Sequence, residues 1–293
     1  MAGQLKEVRN RISSVQSTQQ ITKAMKMVSA AKFRRAQDAI VQMRPYAQKL
    51  QEMLSNIVSN NDGDIEMKLA AERPIEKVLV IVITSDRGLA GAFNSNIVKL
   101  ARTTIAERYH EQYKKGNVTI WNLGKKGYES LTKIGYKTID THKDIFHHLN
   151  FENVQKIAQE AMTAYEEKLF DAIDIVYSRF KNAATQIFTH ERFLPIPKVE
   201  KKAGVKKADF IFDPEKAELI AELMPKILNT QLYKAVLDSN ASEHGARMTS
   251  MDKASENANE MLRNLKLSYN RARQAAITTE LTEIVSGAAA LQG

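Results

Sequence analysis

The 293-residue chain has no cysteine, only six prolines and a single tryptophan. The missing thiols exclude disulfide scaffolds, thiolate metal sites, thiol catalysis and thiol redox switching. No apolar run approaches the roughly 18 to 20 residues that span a bilayer. The first residues, Met1-Ala2-Gly3-Gln4-Leu5-Lys6-Glu7-Val8-Arg9, lack the apolar stretch of a secretory signal. The expectation is a soluble or peripheral protein facing a reducing compartment. A charged fraction of 26% and a hydrophobic fraction of 43% are those of a folded chain, not a disordered or collagen-like one.

Proline and glycine are scarce in a revealing pattern. No proline precedes Pro45 or follows Pro225, residues 4–44 lack glycine, and residues 226–286 contain only Gly245. Both stretches are rich in Ala, Gln, Lys, Arg, Met, Leu and Glu, all good helix formers. A long helix is expected at each end. Leu5, Val8, Ile12 and Val15 step by three and four; the phase is expected to slip at Gln19 and Gln20 and resume with Ile21, Met25 and Val28. Met251, Ser255, Ala258, Leu262, Leu265, Tyr269, Ala272 and Ala276 keep a heptad rhythm, the mark of a coiled-coil seam. Asp213 reads as an N-cap, Pro214 as a first helical residue and Pro225 as a kink or restart. A helix over 226–286 would measure about 90 Å at roughly 1.5 Å per residue. Such a rod must protrude from a compact domain or lie inside something else.

The middle of the chain is different. Lys77-Val78-Leu79-Val80-Ile81-Val82-Ile83-Thr84 is a continuous β-branched run, suited to a strand buried on both faces of a parallel sheet. Strands are also expected over 118–122, 172–180 and 184–193, and helices over 94–113, 125–134 and 151–170. Loops are expected at 60–64 and 198–207. Alternating strands and helices argue for a small α/β domain. The organisation is an N-terminal coiled-coil helix over 1–60, an α/β domain over 75–197 and a C-terminal coiled-coil helix over 210–293, the two helices pairing antiparallel.

The net charge of +9 is uneven. Residues 1–60 carry ten Lys and Arg against three acids, whereas residues 210–293 carry nine against eleven. A basic first segment suits an acidic partner, whether nucleic acid, anionic lipid or acidic protein loops. The turn after the first strand, Thr84 to Asn94, bears Gly88 and Gly91 but is neither a dinucleotide fingerprint nor a P-loop. It reads as a tight turn with Ser85 or Asp86 bonding local backbone. His142, His147 and His148 read as a solvated loop, not metal ligands. The lysine run at 198, 201, 202, 206 and 207 has no interleaved aromatic, as single-stranded nucleic acid would want. Lys23, Met25 and Lys26 mix charge with adaptable apolar side chains on one helix, as a partner surface would. Arg247, Arg273 and Gln274 read individually as surface residues able to bond carboxylates of a partner. Ile277, Leu281, Ile284 and Val285 make an apolar helix end that suits burial in a partner.

Three blocks resemble the gamma subunits of rotary F-type ATP synthases. The first is Ile12-Ser13-Ser14-Val15-Gln16-Ser17-Thr18-Gln19-Gln20-Ile21-Thr22-Lys23-Ala24-Met25-Lys26-Met27-Val28, with Arg44-Pro45-Tyr46 downstream. The second is Ser85-Asp86-Arg87-Gly88-Leu89-Ala90-Gly91. The third includes Glu243, Ala246-Arg247-Met248 and Tyr269-Asn270-Arg271-Ala272-Arg273-Gln274-Ala275-Ala276-Ile277-Thr278-Thr279-Glu280-Leu281-Thr282-Glu283-Ile284-Val285-Ser286-Gly287-Ala288. The terminal blocks are long and specific, and the order of segments matches over essentially the whole chain.

The resemblance implies a central rotor shaft with no catalytic site, cofactor or metal of its own. It implies an antiparallel coiled coil of the N- and C-terminal helices with an inserted Rossmann-like α/β domain. The coil would lie in a ring of alternating alpha and beta subunits, and the α/β domain beside the epsilon subunit and the c-subunit ring. Lys23, Met25 and Lys26 would meet acidic loops of beta. Arg247, Arg273 and Gln274 would contact the alpha/beta ring, and Ile277 and Leu281 would enter an apolar bearing. Neither a transit peptide nor the cysteine-bearing insert of chloroplast relatives is seen, so a bacterial subunit on the cytoplasmic face of the cell membrane is expected. Two other readings remain open at this point: a nucleotide-binding α/β enzyme with helical arms, and a coiled-coil nucleic-acid binder. The acidic balance of the C-terminal helix argues against the latter.

Overall fold

The computed structural model describes residues 2–59, 68–183, 185–196 and 216–292. The loops expected at 60–64 and 198–207 and the helix start at Asp213-Pro214 lie outside the described residues. The chain divides into two compact units. One combines Met1–Ser29 with Arg247–Gly293, and the other is Ala30–Ala246. The division falls inside the two long helices, α1 (Ala2–Ser59) and α6 (Lys216–Gln292). Neither stops at its proline: Pro45 lies inside α1 and Pro225 inside α6, so of the kink or restart expected at Pro225 no restart occurs.

The first unit is a pair of helical segments. Every expected α6 seam position, from Met251 through Ala276, is buried or half-buried. On α1 the expected phase slip is absent. Positions 5, 8, 12, 15, 19, 22, 26 and 29 face inward in unbroken heptads, whereas Ile21, Met27 and Val28 are exposed. The rhythm was hidden because the seam becomes polar at Gln19, Thr22, Lys26 and Ser29. The first three meet polar groups opposite. Gln19 bonds Asn259, the Thr22 and Ser255 hydroxyls lie 2.8 Å apart, and Lys26 Nζ lies 2.5 Å from Asp252 Oδ1. Arg9 donates to the Tyr269 hydroxyl at 2.9 Å. Partners of 9, 19, 22 and 26 run backwards through 269, 259, 255 and 252, which fixes the antiparallel register.

The second unit is built on a five-stranded sheet. Its strands are β1 (Val78–Ile83), β2 (Val118–Leu123), β3 (Thr138–Ile139), β4 (Ala172–Phe180) and β5 (Gln186–Leu194). The order is β3-β2-β1-β4-β5, with β5 antiparallel to β4 and the other pairs parallel. The helices between strands are α2 (Phe93–Arg108), α3 (His110–Lys114), α4 (Lys125–Ile134) and α5 (Phe151–Glu166). The helix expected over 94–113 is thus two helices, interrupted at Tyr109.

Every residue of β1 is wholly buried because both of its faces are covered. Val78, Val80 and Val82 pack with Phe93, Ile97, Ala101 and Ile105 of α2. Leu79, Ile81 and Ile83 belong to the opposite core, with Val154, Ile157 and Ala161 of α5 and Leu228, Leu232 and Val236 of α6. The alternation of strand side chains divides one apolar run between two cores. Residues 224–246 of α6 are therefore a central helix of this unit, not a protruding rod. On α1, Ala36 and Ile40 pack with Leu237 and Ala241 of α6. The lone glycine of 226–286 also has its reason here. A Cβ at Gly245 would lie 3.1 Å from the Ala183 carbonyl oxygen and 3.4 Å from the Phe33 ring.

Candidate functional site

An open α/β sheet takes ligands in the crevice at the carboxyl ends of its strands, where the strand order reverses. Here that point lies between β1 and β4. It is filled by the protein's own α6. The Ser239 hydroxyl donates to the Ile83 carbonyl at 3.4 Å and the Ser242 hydroxyl to the Ser178 carbonyl at 3.3 Å. Ala241, between them, is wholly buried. The place where a nucleotide would enter this kind of fold is a helix–sheet contact.

The turn after β1 is also self-satisfied. The Ser85 hydroxyl donates to the Arg87 carbonyl at 2.7 Å, and the Ser85 N–H donates to Asn94 Oδ1 at 3.0 Å. Asp86 Oδ1 accepts the Lys125 N–H at 3.2 Å. Thr84 Oγ1 accepts the Gly127 N–H at 2.8 Å, tying the start of α4 to the end of β1. That approach demands glycine: a Cβ at Gly124, whose φ is +113°, would lie 2.3 Å from the Thr84 carbonyl oxygen. Leu89 adopts a left-handed conformation with φ +63° and is exposed.

The histidines of the sequence do not converge. His142 is not solvated as expected, but sits edge-on to Trp121 with centroids 4.9 Å apart and Nε2 3.3 Å from Glu160. Burial lowers its pKa, and Glu160 partly opposes this. His147 lies 3.6 Å from Asp86, on a short 3-10 turn with His148. No cluster of His, Cys, Asp and Glu suited to a metal occurs among the described residues.

A polar cluster escaped the sequence reading. Asp174 of β4 is wholly buried. Its Oδ2 accepts the Tyr109 hydroxyl at 2.5 Å and lies 2.6 Å from His190 Nε2. Arg192 Nε lies 2.7 Å from Oδ1, and Arg192 also donates to the Tyr109 oxygen at 2.8 Å. Burial, then the Asp174 charge, push the Tyr109 phenol upward. The cluster ties the antiparallel strand β5 to β4 and to the end of α2. Its signal in the sequence is an acid inside an apolar strand, since such a charge must be paired.

The residues singled out on the long helices fall as follows. Lys23 is exposed, Met25 is half-buried and Lys26 is half-exposed in its pair with Asp252. Arg273 and Gln274 are exposed. Arg247 is only 7% exposed, against the surface position expected for it. Ile277, Leu281, Ile284 and Val285 are 48%, 57%, 67% and 67% exposed. Steps of four, three and one place them on one side of α6, as a single apolar stripe. Lys23, Met25 and Lys26 fall within one turn of α1, and Arg273, Gln274, Ile277 and Leu281 within about two turns of α6.

Comparisons with known proteins agree with one another. The family described as ATP synthase matches residues 4–291. The ATP synthase gamma chain of Cytophaga hutchinsonii is 53% identical over 98% of this chain and 98% of its own. That of Flavobacterium psychrophilum is 51% identical over 99% of each. A chain of the Euglena gracilis mitochondrial ATP synthase, in its OSCP/F1/c-ring structure, superposes with a TM-score of 0.72 at 21% identity, covering 99% of this chain and 95% of that one. A chain of the rotor structure of the same enzyme gives 0.65 at 22% identity, over 94% and 100%. The superpositions establish a shared fold, and the full-length relatives establish descent: the chain belongs to the ATP synthase gamma chain family.

Proposed function

We propose that the chain is the turning shaft of a rotary ATP synthase, coupling ion-driven rotation of a membrane ring to conformational change in catalytic beta subunits. It is a non-catalytic, central-stalk subunit of a membrane-bound complex. Among its described residues no helix is long and apolar enough to cross a membrane, so its own attachment is peripheral. The alpha and beta subunits form the ring around the shaft, and epsilon and the c ring lie at its foot. The site is the cytoplasmic face of a bacterial membrane. The segments 1–60, 75–197 and 210–293 serve as first shaft helix, α/β foot and second shaft helix.

One observation carries the reading. Two helices pair along a specified antiparallel seam, yet toward its end α6 exposes four apolar side chains on one side, with only Glu280 and Glu283 as charges in their span. A free apolar helix end in water is costly. A sleeve that lets it turn must grip it without fixed ion pairs. We assign Ile277 and Leu281 to that sleeve, and Lys23, Met25 and Lys26 to acidic loops of beta. Lys is a flexible point charge and Met adapts its shape, so neither imposes one pose on a moving contact. Arg273 and Gln274 contact the ring directly, and Arg247 reaches it by turning out of its buried position. Rotation drives chemistry only if each orientation of the shaft binds the beta conformations differently.

The alternative, an α/β nucleotide enzyme, loses support from the crevice that α6 fills. The deciding experiment is ATP hydrolysis by matched alpha and beta subunits, with the chain, without it, and by the chain alone. The shaft reading expects a silent chain that enters the complex as one copy per ring and sustains cooperative turnover. Hydrolysis by the isolated chain, or failure to enter the complex, overturns it.

A further inference from the structure

Asp238 of α6 is 4% exposed, and its carboxylate has neither a hydrogen bond nor an ion pair among the described residues. It lines a cavity of about 150 Å³ between α1, β4 and α6 within the larger unit. The polar walls are Arg44 and Gln48 from α1, Arg179 from β4 and Lys234 from α6, with Phe180 among the apolar ones. None of the three cations has a carboxylate oxygen within 4.0 Å among the described residues. Arg44 and Arg179 are exposed, so the cavity opens to solvent. A second cleft of about 300 Å³ shares Arg179 and Lys234 and adds Tyr177 and Glu191. The Glu191 charge is engaged there, accepting the Tyr177 hydroxyl at 2.7 Å.

The donor set restricts what can fill the cavity. Arg and Lys only donate, and an ionised carboxylate only accepts. A cation would satisfy Asp238 but meet three positive charges. A fully ionised oxyanion such as sulfate would satisfy the cations but face Asp238 with like charge. An oxyanion that keeps a proton satisfies both, its P–O oxygens accepting from the cations and its P–OH donating to Asp238. We propose that the cavity is a binding site for a protonated oxyanion, either hydrogenphosphate or the singly protonated phosphate of a monoester whose organic part extends into the adjoining cleft.

Asp238 is suited to share that proton. Burial pushes its carboxyl up to about 6; Lys234, Arg44 and Arg179 pull it down, and Glu191 pushes it up. Ligand and carboxylate hold one proton between them. Raising the pH removes it from a monoester, whose last proton leaves at about pH 6, and leaves two like charges face to face, so monoester binding weakens; hydrogenphosphate keeps its own proton over that range and goes on binding.

Calorimetric titration of the full-length chain alone, at constant ionic strength, tests this with sodium phosphate, sodium sulfate and phenyl phosphate. The expected result is saturable phosphate binding at one site, with sulfate at least about tenfold weaker. Asp238→Asn should remove that preference, because a neutral amide can donate to sulfate. Arg179→Gln should weaken phosphate at least about tenfold, with Lys234→Gln as the second variant if the first unfolds. Circular dichroism confirms that each variant is folded. At about pH 6, where a good part of the monoester still carries its proton, tighter binding of phenyl phosphate than of phosphate identifies a monoester site, and weaker binding identifies a site for free phosphate. The proposal is overturned by no saturable phosphate binding at millimolar concentration. It is equally overturned by equal phosphate and sulfate binding in the unmodified chain, or by a preference that survives Asp238→Asn.

Discussion

At Asp238 burial and charge oppose each other, and the consequence is a pH dependence with a definite sign. Burial pushes its carboxyl up to about 6, well above the usual carboxylate range. The groups facing it are Lys234, Arg44, Arg179 and Glu191. The contribution of a raised carboxyl is fully present below the unfolded value and lost as pH rises through the folded one. Asp238→Asn should therefore stabilise the isolated chain at pH near 8 by up to about 3 kcal/mol, and by little near pH 4. Denaturant unfolding at the two pH values measures the difference, and an equal effect at both contradicts it. Asp171 has the opposite sign. Burial alone would raise it, but the N–H groups of Lys77 and Glu76 and the Arg73 guanidinium outweigh that and hold it low. Its contribution is lost as pH falls through that lowered value, so Asp171→Asn should cost stability at neutral pH and nothing in strong acid. At Asp174 the expectation concerns an orphaned charge. Asp174→Asn leaves Arg192 beside a neutral partner and should cost about 3 kcal/mol in unfolding by urea. A loss below about 1 kcal/mol would mean that water already shields the cluster.

Among the elements, the seam shows why some of the fold was readable and some was not. Met251, Leu262, Leu265 and Tyr269 announce the α6 face because they are apolar at heptad spacing, and all of them turn inward. The α1 face continues through Gln19, Thr22 and Lys26, where hydrophobicity says nothing and only the polar groups on α6 explain the choice. A search for apolar recurrence there selects Ile21 and Val28, which point outward. The buried Thr22–Ser255 contact sets register more than it adds stability. Replacing both together, Thr22→Val with Ser255→Ala, removes two buried polar groups at once. Thermal unfolding should then show the pair near neutral or more stable, whereas Thr22→Val alone should be worse than the double change. Strand β1 was legible because a β-branched run has few other uses. The burial of α6 over residues 224–246 was not, because its rotor-like length and composition suggested a free rod. The helix that fills the sheet's crevice comes from far along the chain, and only tertiary structure brings Ser239 to Ile83. Of the candidate contact residues, Lys23, Arg273, Gln274, Ile277 and Leu281 lie at the surface as a partner site requires, and Arg247 does not.

For the whole molecule, the exposed stripe of α6 separates folding from function. Ile277→Ser, Leu281→Ser and Ile284→Ser change side chains that are largely solvated in the chain alone, so together they should move its unfolding midpoint little. If the stripe fills the apolar sleeve proposed for it, the same changes should lower coupled turnover or the yield of complex. A large loss of stability in the isolated chain would instead mean that the stripe belongs to the fold. The absence of cysteine makes the decisive observation simple. Lys133→Cys, at an exposed position on α4, provides a single attachment point on the α/β domain. With the alpha/beta ring fixed to a surface and a marker on that cysteine, ATP should drive the marker round in one direction. A marker that stays still while the complex hydrolyses ATP at its normal rate would contradict the shaft.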